Sequence, residues 1–167
     1  MTQNIEIIEY NAAWPAQFLA ERAILQTALA PWLVGDIKHI GSTSVVGLAA
    51  KAVIDIMAPV ASLEASRGAI AATESVGYCF YPYKPDEMHW FCKPSPEVRT
   101  HHLHLVPLGS RTWVERLAFR DALRQNPTLA QEYAALKRRL AQHFAKDREA
   151  YTDAKAPFIL KALRSIL

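Results

Sequence analysis

The chain has 167 residues, 51% of them hydrophobic and 21% charged, with a net charge of +3. That profile fits a single folded domain with room for a core, and it excludes a disordered or collagen-like chain. The surplus charge is too small to point to nucleic acid by itself, although it suits a site that receives a polyanion.

Met1 to Glu9 carries two acids and no basic region ahead of an apolar core, so no signal peptide is visible. No run reaches the ~20 apolar residues that cross a bilayer. The expectation is a cytoplasmic protein with no membrane partner. Nothing in the sequence bears on oligomeric state.

Ile5 to Glu9 alternates apolar and polar residues and reads as a short edge strand. Trp14-Pro15 opens a helix with Phe18, Leu19, Arg22, Ile24, Leu25 and Leu29 in its apolar period, and Pro31 ends it. Asp36 to Ile40 reads as a strand leading into a turn at Gly41-Ser42, and Ala52 to Val60 as the next strand. Ser62 to Val76 is alanine-rich and reads as a helix stopped by Gly77.

Two aromatic runs, Tyr78 to Tyr81 and Met88 to Cys92, then read as a hairpin. The hairpin would set Cys79 opposite Cys92 at a disulfide-compatible separation, although in a reducing compartment the expected state is two thiols. His101 to Val106 is a further strand, and everything after Pro107 reads as helix. Asn126 caps one helix, with Pro127 at its first position. Tyr151 to Leu167 forms the last, where Pro157 predicts a kink or a late start. The order predicts one α+β domain over residues 1–167: a mixed sheet within 1–107, with helices on one face and at one end, and C-terminal helices over 108–167.

In Ile54-Asp55-Ile56 the strand period sends both isoleucines to the core and Asp55 to the other face. The same rule turns Leu103 and Leu105 inward and His102 and His104 outward. If the two strands are neighbours, Asp55, His102 and His104 meet on one open surface as a candidate divalent-metal site. The competing reading makes both histidines ordinary solvent-facing residues. Gly41-Ser42-Thr43-Ser44 combines a permissive glycine with hydroxyls and N–H groups able to hold phosphate oxygens, or it is simply a helix cap. Lys51, Arg148 and Lys155 are candidate phosphate cations. So is Lys137, which follows Tyr133 by one helical turn and flanks a buried stripe.

The run from His39 through Gly41-Ser42-Thr43-Ser44 to Lys51, continued by Ile54-Asp55-Ile56, closely resembles the signature of the GrpB-like family, a branch of the nucleotidyltransferase superfamily that includes DNA polymerase beta. Thr100 to Val106 is similar to a second family block. So is the C-terminal pattern Phe119-Arg120-Asp121, Tyr133, Leu136-Lys137, Asp147-Arg148, Tyr151-Thr152, Ala154-Lys155 and Phe158-Ile159. The resemblance implies the nucleotidyltransferase fold, with Gly41 and Ser42 as the phosphate turn and Asp55 as the first metal-binding acid. Met57 stands where the superfamily has its second acid, as is usual for GrpB-like proteins, and His102 and His104 stand where a third would be. Val46 and Ala52-Val53 depart from the prolines usual in the family, a matter of turn stiffness more than chemistry.

The leading expectation is an enzyme that moves a nucleoside monophosphate from ATP or another NTP to a hydroxyl of a small molecule, such as an aminoglycoside-type antibiotic. It would use a divalent metal (Mg, Mn or Zn) on Asp55, His102 and His104, with His104 as an alternative general base of near-neutral pKa. Gly41, Ser42, Thr43, Ser44, Lys51, Lys137, Arg148 and Lys155 would hold the nucleotide. Asp86, Glu87 and Glu97 are the candidate wall for a polyamine acceptor. Two alternatives stand beside it: a two-histidine, one-carboxylate metal-dependent hydrolase or lyase, and a non-catalytic nucleotide- or ligand-binding protein. No motif points to sequence-specific nucleic-acid recognition.

Overall fold

A computed structural model describes residues 3–167. Helix α1 (Trp14–Ala28) precedes β1 (Lys38–Ile40), a 3₁₀ turn over Ser42–Ser44 and β2 (Ile54–Val60). Then come α2 (Gly68–Glu74), β3 (Cys79–Tyr81), β4 (His89–Pro94) and β5 (Arg99–Pro107), and the chain ends in α3 (Arg111–Gln125), α4 (Pro127–His143) and α5 (Arg148–Ile166). The strands make a mixed five-stranded sheet in the order β1-β2-β5-β4-β3, with β2 and β5 parallel and the other neighbours antiparallel. This is a mixed α+β fold with five helices.

Alternation along the strands decides what each face meets. Ile54, Ile56, Leu103, Leu105 and Phe91 point to one face and pack with Trp14, Phe18, Leu25 and Leu29 of the α1 region and Ala69 of α2. Met57, Trp90, Cys92 and Val106 point to the other and pack with Trp113 of α3. Helices thus cover both faces, where one face and one end were expected. The reason lies in β2 itself, since Met57 on its other side is as buried as the isoleucines and a strand apolar on both sides needs two covers.

The ends of several elements depart from the sequence pattern. Ile5 to Glu9 forms only one bridge, Ile8 with Ala50. A strand facing it would need Lys51 to Val53 extended, but the Val53 N–H turns back to the Lys51 carbonyl at 2.8 Å and β2 begins at Ile54. The helix expected from Ser62 starts only at Gly68. Ser66 Oγ donates to the Ser62 carbonyl at 2.6 Å and Ser62 Oγ accepts from the Ala65 N–H at 3.0 Å, local bonds that compete with regular helix. Conversely, α5 starts earlier than Tyr151, because Asp147 caps it by accepting from the Ala150 N–H at 2.9 Å, and it runs unbroken through Pro157.

Candidate functional site

Parallel pairing of β2 with β5 puts Asp55 directly opposite His102, and Met57 opposite His104. All lie on the sheet face roofed by the C-terminal helices. His102 Nδ1 is 3.1 Å and His104 Nε2 3.5 Å from the same oxygen, Asp55 Oδ1. The trio therefore does converge, but on the floor of a recess rather than an open surface: the side chain of Asp55 is 27% exposed and that of His104 only 5%. Trp90 packs against the His102 ring at 5.0 Å between centroids.

Burial pushes the Asp55 carboxyl up, yet hydrogen bonds from His102 and His104 outweigh it and hold the group well below the usual carboxylate range. Burial lowers His102 against the opposing pull of Asp55. Burial and the nearby Arg116 lower His104 to about 4. At neutral pH the site is an ionised carboxylate with two neutral imidazoles. His104 is thus a far weaker base than the near-neutral one expected, because a cation and a dry environment both oppose its charged form. His102 is better placed: with Nδ1 donating to Asp55, its Nε2 is buried without any hydrogen-bond partner.

The Gly41 turn seats against this carboxylate. Its φ of 71° lies in the left-handed region, and a Cβ there would come within 2.6 Å of Asp55 Oδ2, so only glycine fits. Of the hydroxyls expected to hold phosphate, two serve the turn itself. Ser44 Oγ donates to the Gly41 carbonyl, and Thr43 Oγ1 joins His39 Nε2 at 2.9 Å and the Val53 carbonyl at 3.3 Å. Ser42 alone looks into the recess, where its Oγ accepts from Lys137 Nζ at 2.8 Å.

Lys137 is buried, 2% exposed, and also reaches the Ala49 carbonyl. Its Nζ lies 4.9 Å from the centre of the Tyr133 ring. Lys51 and Lys155 both stand over the Tyr151 ring, at 4.9 and 4.5 Å, a desolvated cation–π arrangement. Burial and neighbouring lysines bring Lys137 and Lys155 down to about 7, and burial lowers Lys51 against the pull of Asp55. Burial raises the Tyr151 hydroxyl, so it stays protonated, and it has no hydrogen-bond partner.

Arg148, the remaining expected cation, is not brought into the recess: its guanidinium donates to the Pro96 and Glu97 carbonyls at 2.9 and 2.8 Å and pins the β4–β5 loop. In its place stands Arg116 of α3, whose charge acts on both His104 and Asp55. Arg120 and Arg124 clamp the glycine turn through the His39 and Ser44 carbonyls. The helical spacing of Arg116, Arg120 and Arg124 is the signal that would have found them together. The acidic wall expected for an acceptor forms only in part. Asp86 and Glu87 line a cavity of about 490 Å³ with Lys84, Arg111 and Glu115, and Glu97 is not among its walls.

Asp55 Oδ1, His102 and His104 supply an oxygen and two imidazoles, the donor set of a borderline first-row ion. They bond to one another, however, and among the described residues no group of three or more His, Cys, Asp or Glu is set to hold a metal ion.

Comparison with known proteins covers almost the whole chain. A UPF0157 protein of Pseudomonas aeruginosa is 38% identical over 95% of this chain and 66% of its own length. UPF0157 protein YqkA of Bacillus subtilis is 33% identical over 96% of this chain and 46% of its own. The chain thus spans between about half and two thirds of these relatives. The crystal structure of conserved protein GrpB from Enterococcus faecalis, 33% identical, superposes with a TM-score of 0.86 over 96% of both chains. Since the model of the GrpB protein family also matches residues 4–165, end to end through the turn, both strands of the recess and the lysine helices, the chain belongs to the GrpB family.

Proposed function

We propose that this protein is a nucleotidyltransferase-like enzyme that takes an NTP into the recess and transfers its nucleoside monophosphate to a hydroxyl of a small molecule. The observation that carries this reading is charge: Lys51, Lys155 and Arg116 each act on the Asp55 carboxylate, and Lys137 lies close enough to Lys51 and Lys155 to be repelled by both. A partly dry pocket with that surplus calls for a polyanion. Two buried polar atoms without partners, His102 Nε2 and Tyr151 Oη, add an acceptor and a donor where a ligand would sit.

In this reading the Gly41-Ser42 turn, Lys137 and Lys155 hold phosphate oxygens, and placing the GrpB family within the nucleotidyltransferase superfamily follows from the same assignment. The acceptor oxygen attacks the α-phosphorus, the bond to the bridging oxygen breaks, and pyrophosphate leaves. The acceptor proton passes to His102 Nε2, where Asp55 stabilises the imidazolium across the Nδ1 hydrogen bond. The cations stabilise the charge that builds on the leaving group.

One observation favours a second reading, a nucleotide- or ligand-binding protein without turnover: Met57, where the second acid would be, is fully buried core. Among the described residues the hydrolase or lyase reading has no three-ligand cage to rest on. The deciding experiment incubates the protein with ATP or GTP, Mg²⁺, Mn²⁺ or Zn²⁺, and hydroxyl compounds that include aminoglycosides, and follows binding by calorimetry and products by mass spectrometry. A nucleotidylated product lost in Asp55→Asn supports transfer, binding without product supports the second reading, and no NTP binding sinks both.

A further inference from the structure

The line of residues through Asp55 and His102 continues across the sheet. Cys92 on β4 is directly opposite His102, and Cys79 on β3 is directly opposite Cys92. Residues directly opposed on neighbouring strands share a face, so Asp55, His102, Cys92 and Cys79 form one row on the roofed side of the sheet. Both cysteines are free thiols packed in the same apolar cluster. Directly opposed residues of an antiparallel pair have Cα atoms about 4.5–5.5 Å apart, within the ~4.4–6.8 Å that a disulfide spans.

The two thiols differ in access. Cys92 is fully buried, and burial pushes its thiol up. Cys79 lies on the edge strand, half-buried, with its Sγ 3.5 Å from the Pro94 carbonyl. A reagent reaches Cys79 first, and Cys92 waits behind it as the resolving thiol.

We propose that Cys79 and Cys92 are a redox modification site, closed to a cross-strand disulfide by exchange with a low-molecular-weight disulfide, and that closure is felt at His102. The Cys79 thiolate attacks one sulfur of the small disulfide, whose S–S bond breaks, and the first small thiolate leaves and takes up the proton that Cys79 lost. Cys92 then gives its proton to solvent and attacks the Cys79 sulfur, displacing the second small thiolate, which is protonated in turn. The protein loses two electrons and two protons, and the small disulfide becomes two thiols. Because Cys92 stands between Cys79 and His102, the new bond draws its sulfur toward the sheet edge and alters the packing beside the imidazole, where Trp90 of the same strand also rests. Exposed disulfides are the labile, reducible ones, and Cys79 keeps its end of this bond partly exposed on the edge strand.

The test uses the full reduced protein and oxidised glutathione. The expected result is loss of both thiols together, a mass lower by two hydrogen atoms with no glutathione adduct, a peptide linking residues 79 and 92, and reversal by dithiothreitol. Cys92→Ser is expected to hold one glutathione on Cys79, and Cys79→Ser to leave Cys92 unmodified. In the wild-type protein, which needs no variant to fold, NMR of the histidine rings should show His102 shifted on oxidation and His143, at the end of α4, unmoved. Glutathione on both cysteines, a disulfide between chains, or no reaction overturns the site. An unmoved His102 ring in the internally bridged protein overturns its coupling to the recess.

Discussion

Gly41 and Asp55 are in contact across the turn and β2: the glycine leaves only enough room that an added Cβ would come within 2.6 Å of Asp55 Oδ2. The backbone there, at φ 71° and ψ −177°, belongs to a region that is essentially glycine's alone. Gly41→Ala should therefore cost at least about 1–3 kcal/mol in backbone strain, and it should also push the carboxylate away from the two imidazoles. Urea unfolding measures the first effect and the histidine ring resonances the second. A variant as stable as wild type, with unchanged His102 and His104 signals, would show that the turn does not rest on Asp55.

This contact was only partly legible in the sequence. Strict alternation in Ile54-Asp55-Ile56 and His102-Leu103-His104-Leu105 is enough to place the acid and both imidazoles on one face, because the period of a strand depends on nothing outside it. What covers that face is a tertiary matter. Arg116 is one of many basic residues along the chain until α3 is laid over β5, and the hydroxyls of Thr43 and Ser44 look free until the turn closes on them. For the same reason Arg148 reads as a phosphate ligand in sequence and is found holding a loop.

Acid should destabilise the protein before its carboxylates titrate. His39 and His104 fall from 6.5 to about 4, in each case chiefly by burial. A folded-state pKa below the unfolded one means that the unfolded chain takes up the proton first, so stability falls as pH drops below 6.5 and levels off below about 4. Each histidine contributes at most about 3 kcal/mol to that slope, at 1.36 kcal/mol per pKa unit. Asp55, itself held below its ordinary value, adds a further loss only below the usual carboxylate range. Urea midpoints across this range check the prediction, and His104→Gln should flatten the slope. A pH-independent stability between 4 and 6.5 would contradict it.

The lysines work in the alkaline direction. Lys137 and Lys155 drop from 10.5 to about 7, so the folded protein alone has given up these protons between those values and stability should rise as pH increases through that interval. An anion in the recess reverses the shift and draws protons back. Pyrophosphate should thus bind with proton uptake at pH 8, visible as a dependence of the calorimetric enthalpy on the buffer, and about tenfold or more weaker at pH 9 than at pH 6.5, since tenfold corresponds to only about 1.4 kcal/mol. Lys155→Met should abolish part of the uptake. At a concentration of 100 times its Kd the anion should add about 2.7 kcal/mol, or roughly 5–10 °C in Tm for a domain of this size. Binding without proton uptake would mean that the anion sits elsewhere.

Tyr151 separates stability from binding. Its hydroxyl is buried without a partner while its ring carries Lys51 and Lys155. An unsatisfied buried hydroxyl costs about 1–3 kcal/mol. Tyr151→Phe removes that cost and keeps the ring, so the ligand-free protein should be as stable as wild type or more stable by up to about 1–3 kcal/mol. If the hydroxyl awaits a phosphate oxygen, the same change should weaken pyrophosphate or NTP binding by about tenfold, the worth of one hydrogen bond to a charged group. Unfolding and calorimetry on one variant read both quantities. A destabilised Tyr151→Phe with unchanged affinity would assign the hydroxyl to the fold, because a group that serves only packing can lose stability on removal but has no reason to trade it for binding.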